Sequence, residues 1–311
     1  MSFINRVCDK VFVVNLEKDK ERLRTFDTQM KKHNIVYERF DAVLGSKVLR
    51  DERLTEYCNT FCTDPMKGCA LSHRSIWDVM IEKGYQNVMV FEDDITIPEN
   101  FNRDFKNVWN FLPKDYDIVY LGYPFGLNDD DNIAHKLYNK INGYSPEQLN
   151  EYTYKTKGSV GTYGYMISLK GANNFCKKPI NFHIDAQIMD WIREYNYTSY
   201  AIAPRLVETS VEDSNIAETY PVILNSALKK VKINDTIDLK WMINENFLKL
   251  GMFNINVLLC IIVSISLFLP AELFLFIYIW LIIELLVSFD LKSTFRYGFF
   301  ISLIYLFKCY K

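Results

Sequence analysis

Four consecutive apolar residues, Val88-Met89-Val90-Phe91, run directly into three carboxylates, Glu92-Asp93-Asp94. A strand that is hydrophobic at every position, rather than every second one, is covered on both faces, as in a parallel sheet. Such a sheet needs helices on either side, and the acids then fall at the strand's carboxyl end, where open α/β sheets bind ligands. Three adjacent carboxylates repel one another. A divalent cation, which takes hard oxygen ligands, offsets that repulsion. An acidic turn leading into the next element is the plainer alternative, and the cluster alone does not separate the two.

The rest of the first two hundred or so residues repeats the strand-helix alternation. Val11 to Leu16 reads as a buried strand. Glu17 to His33 reads as a helix with Leu23, Phe26 and Met30 on one face, and Val36 to Phe40 as a short strand. Asp51 to Lys67 is mixed and polar, a loop with a short helix; Ser72 to Lys83 is helical and stops at Gly84. After the acidic run come a helix over Pro98 to Phe111 and a strand over Asp117 to Gly122. A polar loop over Asn128 to Glu151, a strand over Gly161 to Leu169 and a helix from Gly171 to Lys177 follow. A helix over Ile184 to Tyr195 and a last short strand over Tyr200 to Ala203 complete the series. This pattern is that of an α/β sheet. Neither GxGxxG nor GxxxxGK[ST] occurs, which weighs against dehydrogenase and P-loop chemistry. A protein that handles a diphosphate without such a loop needs another positive charge, and a cation at Glu92-Asp93-Asp94 would supply it.

The carboxyl-terminal region differs in kind. From Asn254 to Phe289 there is no Lys or Arg, and the only acids are Glu272 and Glu284. Two apolar runs flank Pro270, and a third spans Phe299 to Phe307. A bilayer span needs about 20 predominantly apolar residues. The runs therefore suggest a membrane anchor, as one tilted helix or as two broken at Pro270, with a buried core helix as the alternative. Lysines and Arg296 lie on both sides of the block, which fits a helical hairpin with both ends on one side. The region before it starts its first strand almost at once, with no apolar segment of signal-peptide length, so a membrane protein with a cytosolic catalytic domain is expected. The seven cysteines fit free, reduced thiols, and Cys58, Cys62 and Cys69 lack the paired CxxC spacing of zinc sites. The net charge of −2 argues against nucleic acid as a partner.

Several segments together resemble glycosyltransferase family 25, the lipooligosaccharide and collagen β-galactosyltransferases. They are Val14-Asn15-Leu16 with Arg22, Phe40-Asp-Ala-Val43 with Gly45, and Gly68-Cys-Ala-Leu-Ser-His73. Val90-Phe-Glu-Asp-Asp94, Gly164-Tyr-Met-Ile-Ser168 with Gly171-Ala172, Ile184-Asp185 and Glu212-Asp-Ser-Asn-Ile216 follow in the same order. The resemblance covers about the first 220 residues and leaves out the apolar tail. It implies a GT-A-like, Rossmann-related α/β fold, a UDP-sugar donor, often UDP-galactose, Mn2+ (or Mg2+), and transfer with inversion. The expected organisation is a catalytic domain over residues 1–225, a linker over 226–252 and membrane-associated helices over 253–311. The expected acceptor is a glycan, glycolipid or protein hydroxyl. A catalytically inactive, membrane-tethered interaction module is the alternative, because the late motif reads Asp213-Ser214-Asn215-Ile216 where the family often has Ser-Asp-Ile.

The chemistry assigns roles to residues. Residues two apart in an extended segment face the same way, so Glu92 and Asp94 are the expected metal ligands and Asp93 points elsewhere, toward ribose or the loop. Asp185 is the expected base for the acceptor hydroxyl, with a helix N-cap as its plain alternative and Glu212 and Asp213 as backups. Asn15 and Arg22 are expected near the nucleotide, Arg being suited to phosphate, and His73 on the substrate side. Arg22 on a solvated helix face and His73 as a structural histidine are the corresponding alternatives.

Overall fold

The computed structural model describes residues 2–122, 146–159, 161–209, 220–228 and 239–310. The late motif with Glu212 and Asp213, and most of the Asn128–Glu151 loop, lie outside the described residues. The chain divides into two compact units, Met1–Asn59 with Asp64–Ser210, and Thr60–Thr63 with Val211–Lys311.

In the first unit the strands are β1 (Lys10–Asn15), β2 (Glu38–Asp41), β3 (Asn87–Glu92), β4 (Ile95–Thr96) and β5 (Ile118–Tyr120). They continue with β6 (Glu147–Gln148), β7 (Thr153–Thr156), β8 (Gly164–Ser168), β9 (Ser199–Ile202) and β10 (Glu208–Thr209). Eight form one sheet in the order β2-β1-β3-β8-β5-β9-β7-β6, and β4 pairs separately with β10. β1 runs parallel to β2 and β3, and β5 parallel to β9. β8 lies between β3 and β5 and is antiparallel to both. The fold is thus mixed α/β with a parallel-rich sheet. The apolar run of β8 gives no sign of its direction, because a strand buried on both faces looks the same either way round. β7 alternates weakly and β6 is two exposed residues, so neither had the periodicity that marks a strand.

Period two sorts β3 onto two faces. Met89 and Phe91 join Val11 and Val13 of β1 in a cluster with Phe26, Met30, Phe101 and Phe105, from the helices Lys20–Lys32 and Phe101–Phe111. Val88 and Val90 face the other way, and Tyr165 of β8 stands opposite Val90. On that side lie the helices Asp64–Lys83, Leu169–Phe175 and Ile184–Tyr195, with Trp77, Phe175 and Trp191 in ring contact. The helix expected from Ser72 begins eight residues earlier, at Asp64, next to a proline suited to a first turn. It ends at Gly84, whose φ of +70° is the left-handed stop the sequence suggests.

Gly68 shows why that early start matters. A Cβ there would meet Val43 O at 2.6 Å and Gly45 N at 2.9 Å, so the helix passes directly over the loop after β2. Ser72 locks the same crossing: its hydroxyl donates to Gly68 O and accepts from Val43 N–H. Gly68→Ala is expected to cost about 1–3 kcal/mol, because both neighbours are backbone and cannot step aside. Urea denaturation reads this directly, and a loss under about 0.5 kcal/mol would show that the loop yields.

The second unit contains the antiparallel hairpin β11 (Asn246–Leu250) and β12 (Phe253–Asn256), followed by helices Val257–Phe268, Phe274–Ser288 and Leu291–Cys309. The two apolar runs are therefore separate helices broken at Pro270, and the third helix is longer than its apolar stretch. Tyr220, Ile255, Leu259, Phe274, Leu281, Tyr297 and Ile301 form its core. Glu284 survives in an apolar helix because it accepts hydrogen bonds from Ile223 N–H and Trp280 Nε1–H. Ala271–Ser288 is long and apolar enough to cross a membrane by length and composition. Much of this region's apolar surface lies outward, including Phe268, Phe276, Leu286 and Phe289.

Cysteine usage differs from the expectation of seven thiols. Cys58 and Cys62 are disulfide-bonded, while Cys8, Cys69, Cys176, Cys260 and Cys309 are free. Spacing alone does not distinguish a pair that can bridge from one that cannot.

Candidate functional site

The carboxyl ends of β1 and β3 lie side by side, with Val14 in register with Glu92. Because successive side chains alternate, Glu92 turns to the Asp64–Lys83 helix and Asp93 to the Lys20–Lys32 helix. Asp93 is buried, and it accepts from Asn15 Nδ2 at 2.5 Å and from Arg22 at 3.5 Å. The amide of Asn15 is oriented by its other end, since Oδ1 accepts from Arg39 Nε at 2.8 Å. Arg22 also approaches Asp94 at 3.7 Å. Among the described residues it is the cation that the acids touch, an ion-pair role the sequence did not suggest for it.

Glu92 sits in a different set of contacts. Thr162 donates to its Oε1 at 2.8 Å, and His73 Nε2 lies 3.5 Å from the same oxygen. His73 is only 1% exposed, so its ring lies behind Glu92 rather than on open surface. Cys69 is one helical turn before His73, and the potential ligand atoms of Cys69, His73 and Glu92 all lie within 4.8 Å of one another. Asp93 and Asp94 form a turn between β3 and β4, so the extended projection that paired Glu92 with Asp94 does not govern the last position. Asp94 Oδ1 is buried and has no hydrogen-bond partner.

Electrostatics separates the three acids. Burial raises the carboxyl of Glu92, but His73, by hydrogen bonding and by charge, then the Thr162 hydroxyl and the charge of Arg22 outweigh it, leaving Glu92 below the ordinary range. Burial raises Asp93, against the pull of Asn15 and Arg22. Burial and then the neighbouring Glu92 push Asp94 up to about 7. Among the described residues, Arg22 and the His73 ring are the basic groups in contact with the three acids, and neither satisfies Asp94 Oδ1. An orphaned buried carboxylate oxygen and an all-oxygen acid cluster fit a hard divalent cation such as Mn2+ or Mg2+.

Asp185 comes from the first turn of the Ile184–Tyr195 helix. It accepts a hydrogen bond from Gly161 N–H at 2.9 Å, tying the helix start to the loop before β8. Asp185, Glu92 and Asp94 all lie close enough to Cys69 to help burial raise its thiol. Residues far apart in sequence are thereby gathered at one end of the sheet. Arg39, Thr162 and Trp77 belong to this assembly and were not singled out, because each reads from sequence as an ordinary strand, loop or core residue; Tyr165, which with Tyr163 reads as a sugar-lining aromatic or as core, instead lies buried behind His73.

The family model for glycosyltransferase family 25, described as an LPS biosynthesis protein, matches residues 8–188. The chain belongs to glycosyltransferase family 25. A Drosophila melanogaster family member is 30% identical over 185 residues, covering 53% of this chain and 27% of that protein. Human procollagen galactosyltransferase 2 is 26% identical, covering 53% and 26% respectively. A mouse protein named as an inactive member of family 25 is 28% identical over the same share of this chain and 27% of its own length. The matched part is therefore about a quarter of each of these relatives, and residues 8–188, matched by the family model, hold every site residue described above.

Proposed function

We propose that this family 25 chain is a cation-dependent glycosyltransferase that moves a hexose, galactose in the first instance, from a UDP-sugar to a hydroxyl of a glycan, glycolipid or protein. The observation that carries the reading is the acid cluster at the end of β3, with the buried Asp94 Oδ1 lacking a partner, in a family 25 domain. Kinship with procollagen galactosyltransferase 2 supports the choice of galactose. Asp94 and Glu92 would hold Mn2+ or Mg2+, and the cation would stabilise the charge gathering on the departing diphosphate. Asn15, Arg22 and Asp93 would shape the nucleotide side of the pocket. Asp185 would accept the proton of the incoming hydroxyl, as inversion by direct displacement requires.

The test is a screen of UDP-sugars with Mn2+ on the intact protein, read by UDP release. Turnover of a UDP-hexose is the expected result. Tight UDP binding with no turnover on any acceptor would instead favour an inactive module, the state named for the mouse relative.

The apolar outward faces of the carboxyl-terminal helices support membrane association as part of the same proposal. The Val257–Phe268 helix rises only about 18 Å, short of a hydrocarbon core of about 30 Å, so this helix would enter a bilayer without crossing it. The full chain is expected to float with phosphatidylcholine vesicles. Leu275→Glu with Phe276→Glu, two exposed positions, is expected to shift most of it to the soluble fraction. Equal flotation of both proteins would count against these helices as the anchor.

A further inference from the structure

A chain of hydrogen-bonding groups runs from the core to Glu92. Trp77 Nε1 lies 3.0 Å from Tyr165 Oη, and Tyr165 Oη lies 3.0 Å from His73 Nδ1. His73 Nε2 then faces Glu92 Oε1 at 3.5 Å. Indole can only donate, so Tyr165 Oη accepts from Trp77. Tyr165 is wholly buried, and its described polar neighbours are these two rings. Its single hydrogen must therefore go to His73 Nδ1 or be left without an acceptor, which is costly in a buried site. Burial holds the phenol well above its ordinary range, so the hydrogen stays on at neutral pH. With Nδ1 accepting, the ring's N–H is on Nε2, the nitrogen that faces the carboxylate. The opposite tautomer would set a nitrogen lone pair against Glu92 and strand the tyrosine hydrogen as well.

We propose that Trp77, Tyr165 and His73 form a tautomer lock that positions Glu92: it fixes His73 as the Nε2–H form and aims that N–H at Oε1, leaving Oε2 for the cation. The cation half of this proposal rests on the reading of Glu92 and Asp94 as ligands. Thr162 donates to the same Oε1, so both partners of Glu92 lie on one side of the carboxylate. His73 and Tyr165 are positioning residues that act through Glu92. The fold supports this arrangement: Gly68 and Ser72 bring the Asp64–Lys83 helix close to the sheet, and pairing of Tyr165 with Val90 puts the phenol on the same face as Glu92.

The full chain labelled with 15N-histidine decides the tautomer by NMR, the His73 signal being assigned by its loss in His73→Gln. An Nε2–H imidazole at residue 73 is expected. An Nδ1–H imidazole, or an imidazolium with a proton on each nitrogen, would overturn the lock; the Nδ1–H form would leave Nε2 open to a soft cation with Cys69. Mn2+ affinity is then measured by calorimetry on variants of unchanged melting temperature. Tyr165→Phe, which keeps the ring and loses the hydrogen, is expected to weaken Mn2+ binding about 10-fold or more, as changes behind metal ligands do. His73→Gln keeps an N–H near the Nε2 position and is expected to stay within about threefold of wild type. His73→Asn is too short to replace that N–H and is expected to lose about 10- to 100-fold. Equal affinity in the Gln and Asn variants would overturn the positioning role. Wild-type protein that binds neither Mn2+ nor Mg2+ would overturn the cation reading and the role given to Oε2, while the tautomer spectrum would still judge the hydrogen-bond chain separately.

Discussion

Asp94→Asn is expected to abolish cation-dependent transfer while making the cation-free protein more stable. The two effects share one cause. Asp94 is 16% exposed, close to Glu92, and its carboxyl is pushed up to about 7 from an ordinary value of 3.8. In the unfolded chain it ionises near pH 4, whereas in the folded chain it holds its proton to near 7. Folding stability from this group is therefore greatest below pH 4, falls as pH rises from about 4 to 7, and is level above that. Asparagine keeps the shape without the charge and removes the decline. In chelator at pH 8 the variant should be more stable by on the order of 2 kcal/mol, below the full conversion of about 1.4 kcal/mol per pKa unit because the group is coupled and partly solvated. With Mn2+ at about a hundredfold over its dissociation constant, wild type should gain about 2.7 kcal/mol and the variant almost nothing. Turnover should drop by at least about 10²-fold, the order seen when a group stabilising developing charge is removed. Denaturation curves at pH 5 and pH 8, with and without Mn2+, test all of this. Parallel pH dependence in the two proteins would show that Asp94 is not the strained acid.

Asp185→Asn separates chemistry from binding. Its carboxylate accepts from Gly161 N–H, and an amide oxygen can take that hydrogen bond over, so the loop before β8 should keep its place. A base that takes the acceptor's proton contributes typically 10²–10⁴-fold, so kcat should fall by about that factor. Mn2+ and UDP affinities should remain near wild type, because Asp185 is not among the groups expected to hold either. If Asp185 serves only to tie the helix start to the loop, Asp185→Asn will keep both its turnover and its melting temperature, and Asp185→Ala will lose melting temperature while keeping turnover. The two outcomes exclude one another.

Much of the fold was legible in residue order. The Ile184–Tyr195 helix appears with the boundaries its periodicity suggests, β1, β2, β3, β5 and β9 fall within a residue or two of their expected bounds, and β8 starts three residues late, at Gly164. Legibility failed where the physical signal is not local. The direction of β8 depends on which neighbours it meets, and continuous burial looks alike in both directions. The early start of the Asp64–Lys83 helix depends on Gly68 passing over the loop at Gly45, a contact between segments far apart in sequence.

The candidate site divides in the same way. Sequence alone placed Glu92-Asp93-Asp94 at a strand end, found Asp185 at a helix start and drew Asn15, Arg22 and His73 toward the same end of the sheet, because motif spacing and periodicity are written in the chain. Which acid turns to which partner was decided by tertiary structure. The alternation at the end of β3 sends Glu92 to His73 and Thr162 and sends Asp93 to Asn15 and Arg22, while the turn that follows leaves Asp94 with an oxygen that nothing satisfies. Burial, hydrogen-bond direction and the acidity of a carboxyl depend on atoms brought near by folding, and no reading of neighbours along the chain contains them.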